Sequence, residues 1–225
     1  MTAAIIVAAG SSRRMGFDKL AVELVGVPVL ARSIAAFEAS ASIDRIVVVT
    51  TPERFAWLDA LKAAQGWTKL EAVVEGDAER HLSVCRGLDA LPPDTRIAAV
   101  HDGARPLVSP RSIDACVAEA EKSGAASLAH PVADTLKRAT QEGLVTESVS
   151  RECLWAMETP QAFDLGLLRR AYQAVLSSGE LVTDEVSAVR AIGEPVQLVN
   201  SDRPNPKITY PSDIILAEAI LSSAP

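Results

Sequence analysis

The chain has 225 residues, 48% of them hydrophobic and 23% charged, with a net charge of −7 at pH 7. That is the profile of an ordinary globular protein, long enough for one large α/β domain. The acidic balance argues against a nucleic-acid partner, and no apolar run approaches the ~20 residues that a membrane span needs.

The run Ala3-Ala4-Ile5-Ile6-Val7 predicts a buried first strand, and with no basic segment ahead of it, it is not a signal peptide. It opens into Ala8-Ala9-Gly10-Ser11-Ser12-Arg13-Arg14-Met15-Gly16, with Lys19 just beyond. A short extended excursion over 21–28 precedes a helix over 29–39, where Val29, Leu30, Ile34 and Phe37 recur at helical spacing. Strand 45–50 and a helix from Pro52 to about 64 follow, Pro52 suiting a first helical turn. Strand 70–74, helix 81–91, strand 96–101, helix 110–124 and strand 126–130 continue the alternation. Strands alternating with helices imply a Rossmann-like, doubly wound, mostly parallel sheet in a single domain spanning 1–225. The alternation then breaks. Segments 135–139 and 144–149 flank Gln141-Glu142-Gly143 as a β-hairpin, expected to project as an arm over about 132–150. Helices near 166–178 and 184–192, strand 196–199, a short strand 207–209 and a helix to about 222 complete the chain. Cys85, Cys116 and Cys153 fall in no C-x-x-C spacing and read as buried, reduced thiols of a cytoplasmic protein.

Ligands of doubly wound sheets sit outside the carboxyl ends of the strands, where the loops 8–19, 75–83 and 101–106 fall. In the first, Ala8, Ala9, Gly10, Ser11 and Ser12 would let backbone N–H groups approach an anion closely. Arg14 and Lys19 would add the full charges a polyphosphate needs, although a plain surface turn would share the same small residues. Neither the dinucleotide fingerprint nor the P-loop is present. The second loop carries Gly76 and Asp77, with Ser83 placed to cap the next helix, to touch a nucleotide, or both. The third, His101-Asp102-Gly103-Ala104-Arg105-Pro106, sets a carboxylate and a guanidinium around two small residues. Asp102 suits Mg²⁺ or a ribose hydroxyl and Arg105 a phosphate, the plain alternative being a local Asp–Arg salt bridge. Its place at the end of a buried strand favours function. His101 reads as a packed or orienting histidine, and His81 and His130 have no evident partner.

The opening loop resembles that of the sugar-phosphate nucleotidylyltransferases, and also that of molybdenum-cofactor nucleotidyltransferases. The 101–106 loop resembles a motif of the 2-C-methyl-D-erythritol 4-phosphate cytidylyltransferase family. The likeness continues, in order, through Pro131-Val132-Ala133-Asp134-Thr135-Leu136-Lys137, Arg151-Glu152-Cys153-Leu154-Trp155, Thr159-Pro160-Gln161-Ala162-Phe163, Thr183-Asp184-Glu185-Val186-Ser187-Ala188 and Lys207-Ile208-Thr209. The chain departs from the family pattern at Ser12, at Asp18 and Leu20 around Lys19, at Asp77, and at Leu82.

The resemblance implies transfer of CMP from CTP to an alditol phosphate with Mg²⁺, which Asp102 would help to hold. It implies that Arg14 and Lys19 stabilise charge on the reacting phosphates, while Arg151, Lys207, Thr183 and Arg105 hold the attacking phosphate and Thr159 contacts the substrate. Ala8 to Ser12, Gly76, Asp77, Ser83, Asp102 and Gly103 would contact the nucleotide. It further implies a homodimer in which the arm, with Thr135 and Arg151 at its bases, completes the neighbour's site. A ribitol-5-phosphate cytidylyltransferase, a molybdenum-cofactor nucleotidyltransferase and a non-catalytic nucleotide-binding domain are the alternatives.

Overall fold

Strand β1 (Thr2–Val7) pairs in parallel with β4 (Arg45–Thr50) on one side and β6 (Ile97–Asp102) on the other. Ala4 and Ile6 enter one apolar layer while Ala3 and Ile5 enter the opposite one. A strand covered on both faces reads as a continuous apolar run, and that is how it is written. The computed structural model describes residues 1–10, 15–179 and 182–223. Between β1 and β4 lie the two-residue strands β2 (Glu23–Leu24) and β3 (Val27–Pro28) and the helix α1 (Val29–Ala39). A 3₁₀ turn and α2 (Phe55–Gln65), β5 (Leu70–Glu75), α3 (Arg80–Asp89), α4 (Pro110–Ser123) and β7 (Ala125–Pro131) continue the body. Helix α4 is bounded at both ends. The Ser109 hydroxyl accepts from the Ser112 N–H, a cap worth about 1 kcal/mol, and Gly124 takes the left-handed turn (φ 84°) that ends the helix.

The arm is present as β8 (Leu136–Ala139) and β9 (Val145–Val149), an antiparallel pair apart from the main sheet and largely exposed. Beyond it come β10 (Trp155–Asp164), α5 (Leu165–Ser178), α6 (Glu185–Ala191), β11 (Gln197–Asn200) and α7 (Pro211–Ser223). The main sheet has seven strands in the order β11-β7-β10-β6-β1-β4-β5, and β10 alone runs antiparallel to its neighbours. Helices α1, α2, α4 and α7 cover one face; α3, α5 and α6 cover the other.

Three expectations need correction. The 155–164 segment is a central strand that the alternation of strands and helices did not anticipate, because β10 follows a hairpin and has no crossover helix before it. No strand forms over 207–209. That stretch is irregular and is tied down by the Ile208 N–H to the Ala104 carbonyl at 2.8 Å. Of the cysteines, only Cys116 is fully buried, and burial pushes its thiol up to about 12; Cys85 is half-buried and Cys153 exposed.

Candidate active site

The parallel pairing of β1 with β6 sets Val7 beside Asp102, so the loops after both strands open at one edge of the sheet. The Gly103 N–H donates to the Val7 carbonyl at 2.9 Å, and a Cβ at Gly103 would lie 2.9 Å from Leu30 Cδ1. At Gly76 a Cβ would sit 2.3 Å from that of Ala9. Glycine at 76 is therefore a packing requirement of the loops converging here, and at 103 the space is tight. The result is a cleft of about 640 Å³, lined among others by Ala8, Gly10, Lys19, Asp77, Arg80 and Lys207.

Asp102, the last residue of β6, is the electrostatic centre. Its Oδ2 accepts from Lys207 Nζ at 2.7 Å and its Oδ1 from Arg80 Nε at 3.1 Å. Burial alone would raise its pKa, but Arg80, Lys207 and Arg105 outweigh it and hold the carboxyl well below the usual carboxylate range. Asp102 is thus ionised throughout the neutral range. Arg80 also forms a fork to Glu185, at 2.7 and 3.1 Å, and Glu185 Oε1 accepts from the Tyr172 hydroxyl at 2.9 Å. Burial opposes the charge of Arg80, yet Glu185 and Asp102 raise its pKa above the ordinary arginine value. Burial and the neighbouring Glu185 push the Tyr172 hydroxyl upward in the same way. Lys19 Nζ donates to the Ile208 carbonyl at 2.6 Å, which draws the end of the first loop against the irregular segment. Asp18 accepts both arms of the Arg54 fork, and Arg54 also reaches the Ala8 carbonyl at 3.1 Å.

The predicted residues divide into four groups. Ala8, Ala9, Gly10, Lys19, Asp77, Ser83, Asp102 and Lys207 line the cleft, with Gly76 and Gly103 packed in the loops that form it. Ser11, Ser12 and Arg14 lie outside the described residues. Arg105 and Thr159 turn into the protein. The Arg105 guanidinium donates to the carbonyls of Asn205 and Met157 and lies 4.0 Å from Asp102, so it supports the loop and does not line the cleft. The Thr159 hydroxyl accepts the Asp102 N–H at 3.0 Å and lies 2.9 Å from His101 Nδ1. Thr135, Arg151 and Thr183 are exposed and not among the residues lining the cleft, with Arg151 donating to the Ala133 carbonyl at the base of the arm.

Ser83 does not cap α3. It sits inside the helix, and its hydroxyl accepts the Asp77 N–H at 2.9 Å. His101 is packed as expected, wholly buried against Phe37, and burial lowers its pKa to about 3. His130 does have a partner, since its Nδ1 lies 2.6 Å from Glu158 Oε1. The residues missed from sequence are Arg80 and Glu185. An arginine just after the Gly76-Asp77 loop was a visible signal, but its partner lies 105 positions away.

Among the described residues no three His, Cys, Asp or Glu side chains gather into a metal cage. Asp102 supplies one ionised hard oxygen donor at the cleft. Mg²⁺ is commonly held by one or two carboxylates together with substrate phosphates and water, so this donor set fits an ion that arrives with a nucleotide.

The family profile of 2-C-methyl-D-erythritol 4-phosphate cytidylyltransferase matches residues 2–223. The enzyme of that name from Pelotomaculum thermopropionicum is 41% identical, the match covering 98% of this chain and 94% of the relative. Among solved structures, the 4-diphosphocytidyl-2C-methyl-D-erythritol synthase of Anaerococcus prevotii superposes with a TM-score of 0.87 at 30% identity, covering 99% of this chain and 96% of that one. The 2-C-methyl-D-erythritol 4-phosphate cytidylyltransferase of Thermus thermophilus gives 0.81 at 31%, covering 97% and 98%. With a nucleotide-sized cleft that gathers Lys19, Arg80 and Lys207 at the carboxyl ends of β1 and β6, and this match over nearly its whole length, the chain belongs to the 2-C-methyl-D-erythritol 4-phosphate cytidylyltransferase family.

Proposed function

We propose that this chain transfers the cytidylyl group of CTP to 2-C-methyl-D-erythritol 4-phosphate, the step of non-mevalonate isoprenoid biosynthesis that the family name describes. A phosphate oxygen of the acceptor attacks the α-phosphorus of CTP, the bond to the β-phosphate oxygen breaks, and pyrophosphate leaves. Such a reaction asks little covalent chemistry of the protein; positioning and charge stabilisation dominate. The observation that carries the reading is the convergence of Lys19, Arg80 and Lys207 on one cleft in a member of this family.

Lys19, with Arg14, stabilises the charge that develops on the α-phosphate and the leaving pyrophosphate. Lys207 orients the attacking phosphate, and Asp102 fixes Lys207 in place. Ala8 to Gly10, Gly76, Asp77 and Ser83 take the nucleoside and its phosphates through backbone and hydroxyl groups. Mg²⁺, when bound through Asp102 and the nucleotide, would neutralise phosphate charge. Arg151 and Thr135 serve the neighbouring site of a homodimer through the β8–β9 arm, which is exposed in the single chain. Two antiparallel strands are marginal alone, and a second subunit would cover the apolar Leu144 and Val145. A cytoplasmic setting accords with three free cysteines.

The test is a substrate panel with pyrophosphate release as readout. CTP with methylerythritol phosphate should turn over fastest. Faster turnover with ribitol 5-phosphate would overturn the assignment.

A further inference from the structure

The segment 201–210 contains neither helix nor strand, yet it delivers two parts of the site: the Lys207 ammonium and the carbonyl that receives Lys19. Backbone without a ladder has to be fixed by other hydrogen bonds. Several of them converge on one side chain, that of Glu158.

Glu158 lies in an irregular stretch of β10. The pairing with β7 steps from Met157–Ala129 to Gln161–Ser127, so three residues on β10 face one on β7. Bulges of this kind re-aim side chains. Here Glu158 and the adjacent Thr159 are both buried, Glu158 with 3% exposure. Glu158 Oε2 accepts from Ser201 Oγ at 2.6 Å and from Asn205 Nδ2 at 3.1 Å. Its Oε1 lies 2.6 Å from His130 Nδ1 on β7. Asn205 then passes the constraint on. Its Nδ2 also donates to the Thr159 carbonyl, and its own carbonyl accepts from Arg105 at 2.7 Å. Lys207 is two residues further along. The bulge therefore underlies both halves of the Lys207–Asp102 pair: Thr159 takes the Asp102 N–H, and Glu158 holds the segment that carries Lys207.

We propose that Glu158 is a positioning residue for cytidylyl transfer: it does not touch substrate, and it sets where Lys207 stands. The inference rests on the reading of Lys207 as a phosphate-orienting group. What matters in it is the geometry of the acceptors, not the charge. A glutamine at 158 keeps an oxygen for Ser201 and Asn205 and offers its N–H to His130 Nδ1, whereas a leucine removes the acceptor of the half-buried Ser201 hydroxyl and leaves buried Asn205 with only its bond to the Thr159 carbonyl.

The experiment measures kcat, KM and Tm for Glu158→Gln, Glu158→Leu, Ser201→Ala and Lys207→Ala, and for Glu158→Leu and Ser201→Ala each combined with Lys207→Ala. Glu158→Gln should stay within about 3-fold of wild type, while Glu158→Leu loses at least ~10-fold in kcat/KM, assayed well below its own Tm. On the Lys207→Ala background the same leucine change should cost less than about 2-fold, because residues acting through one another are not additive. A lowered Tm with unchanged kcat/KM would mean that Glu158 is structural only. An equal loss with and without Lys207, or a glutamine variant as impaired as the leucine one, also overturns the proposal. Where Glu158→Leu does not fold, Ser201→Ala decides: a several-fold loss that vanishes without Lys207 supports the clamp, and an inert Ser201→Ala refutes it. A fully active Lys207→Ala refutes the role of Lys207 itself, and the clamp with it. A crippled Lys207→Ala beside an unaffected Glu158→Leu refutes the positioning alone.

Discussion

Lys207 Nζ and Asp102 Oδ2 stand 2.7 Å apart although 105 residues separate them in sequence. Arg80 reaches the other oxygen of the same carboxylate, so two cations are anchored at the cleft by one anion. With Lys19 on the rim, this local arrangement lets a chain of net charge −7 offer a pocket for polyphosphate.

Replacing Lys19 by alanine should lower kcat by at least ~10²-fold, the usual effect of losing one preorganised charge at a transition state. The KM for CTP should change less. Steady-state kinetics separate the two, and a rise in KM with kcat intact would make Lys19 a uniform binding residue.

Glu185→Ala should destabilise the fold by about 2–4 kcal/mol, below the range for a fully enclosed pair because Arg80 keeps 27% of its side chain exposed. The cost comes from leaving Arg80 and the Tyr172 hydroxyl without their shared acceptor. A double change, Arg80→Met with Glu185→Leu, should recover much of that stability while activity stays low. Thermal unfolding beside a turnover assay checks both halves, and a double variant no more stable than Glu185→Ala would contradict the account.

Acid should unfold the protein in part through His101. Its folded pKa is lowered to about 3 by burial, against 6.5 for an unperturbed histidine. Between those values the unfolded chain binds a proton that the folded chain refuses, so stability is complete above about pH 6.5 and falls as pH drops, by at most about 1.4 kcal/mol per pH unit. Asp102, whose folded pKa is depressed, adds a loss in the same direction below about pH 4. Urea midpoints measured from pH 7 to 4 should slope less in His101→Asn than in wild type. Parallel slopes would remove His101 as the cause.

The proposed homodimer has its own test. Arg151→Ala and Lys19→Ala subunits, each nearly inactive, should regain activity when mixed, toward half of wild type per heterodimer. One site then draws Lys19 and Arg151 from the two intact sources, and the other receives both defects. Exchange of subunits with no recovery would place Arg151 in its own chain's site.

Local sequence carried a large share of this structure. The apolar runs at 3–7 and 45–50 and the helical spacing of Val29, Leu30, Ile34 and Phe37 fall where strands and helix form. The hairpin was legible because its turn residues lie between two short polar-faced strands. Strand β10 was not, since it enters the sheet antiparallel with no crossover to announce it, and its Thr-Pro-Gln stretch has little β character. The cleft loops were legible from their small residues. The inward turn of Arg105 and the Arg80–Glu185 fork were not, because both depend on partners far away in sequence. Nothing local marked Lys207–Thr209 as irregular; its apolar and β-branched residues suit a strand, and long-range ties decide otherwise.

The position of β10 also dictates an order of assembly. Strand β7 lies between β10 and the edge strand β11, both of which follow it in the chain, and joins the rest of the sheet through β10. On the ribosome, β1, β4, β5 and β6 can pair as soon as they emerge, and the arm can close on itself as a local hairpin. Strand β7 and the apolar face of α4 have no finished sheet to join until residues 155–164 have been made. Until then β6 keeps a bare edge, the kind of surface on which nascent chains pair wrongly with one another. A chain stopped just after the arm therefore holds both bases of its hairpin but lacks the strand that unites the two halves of the sheet.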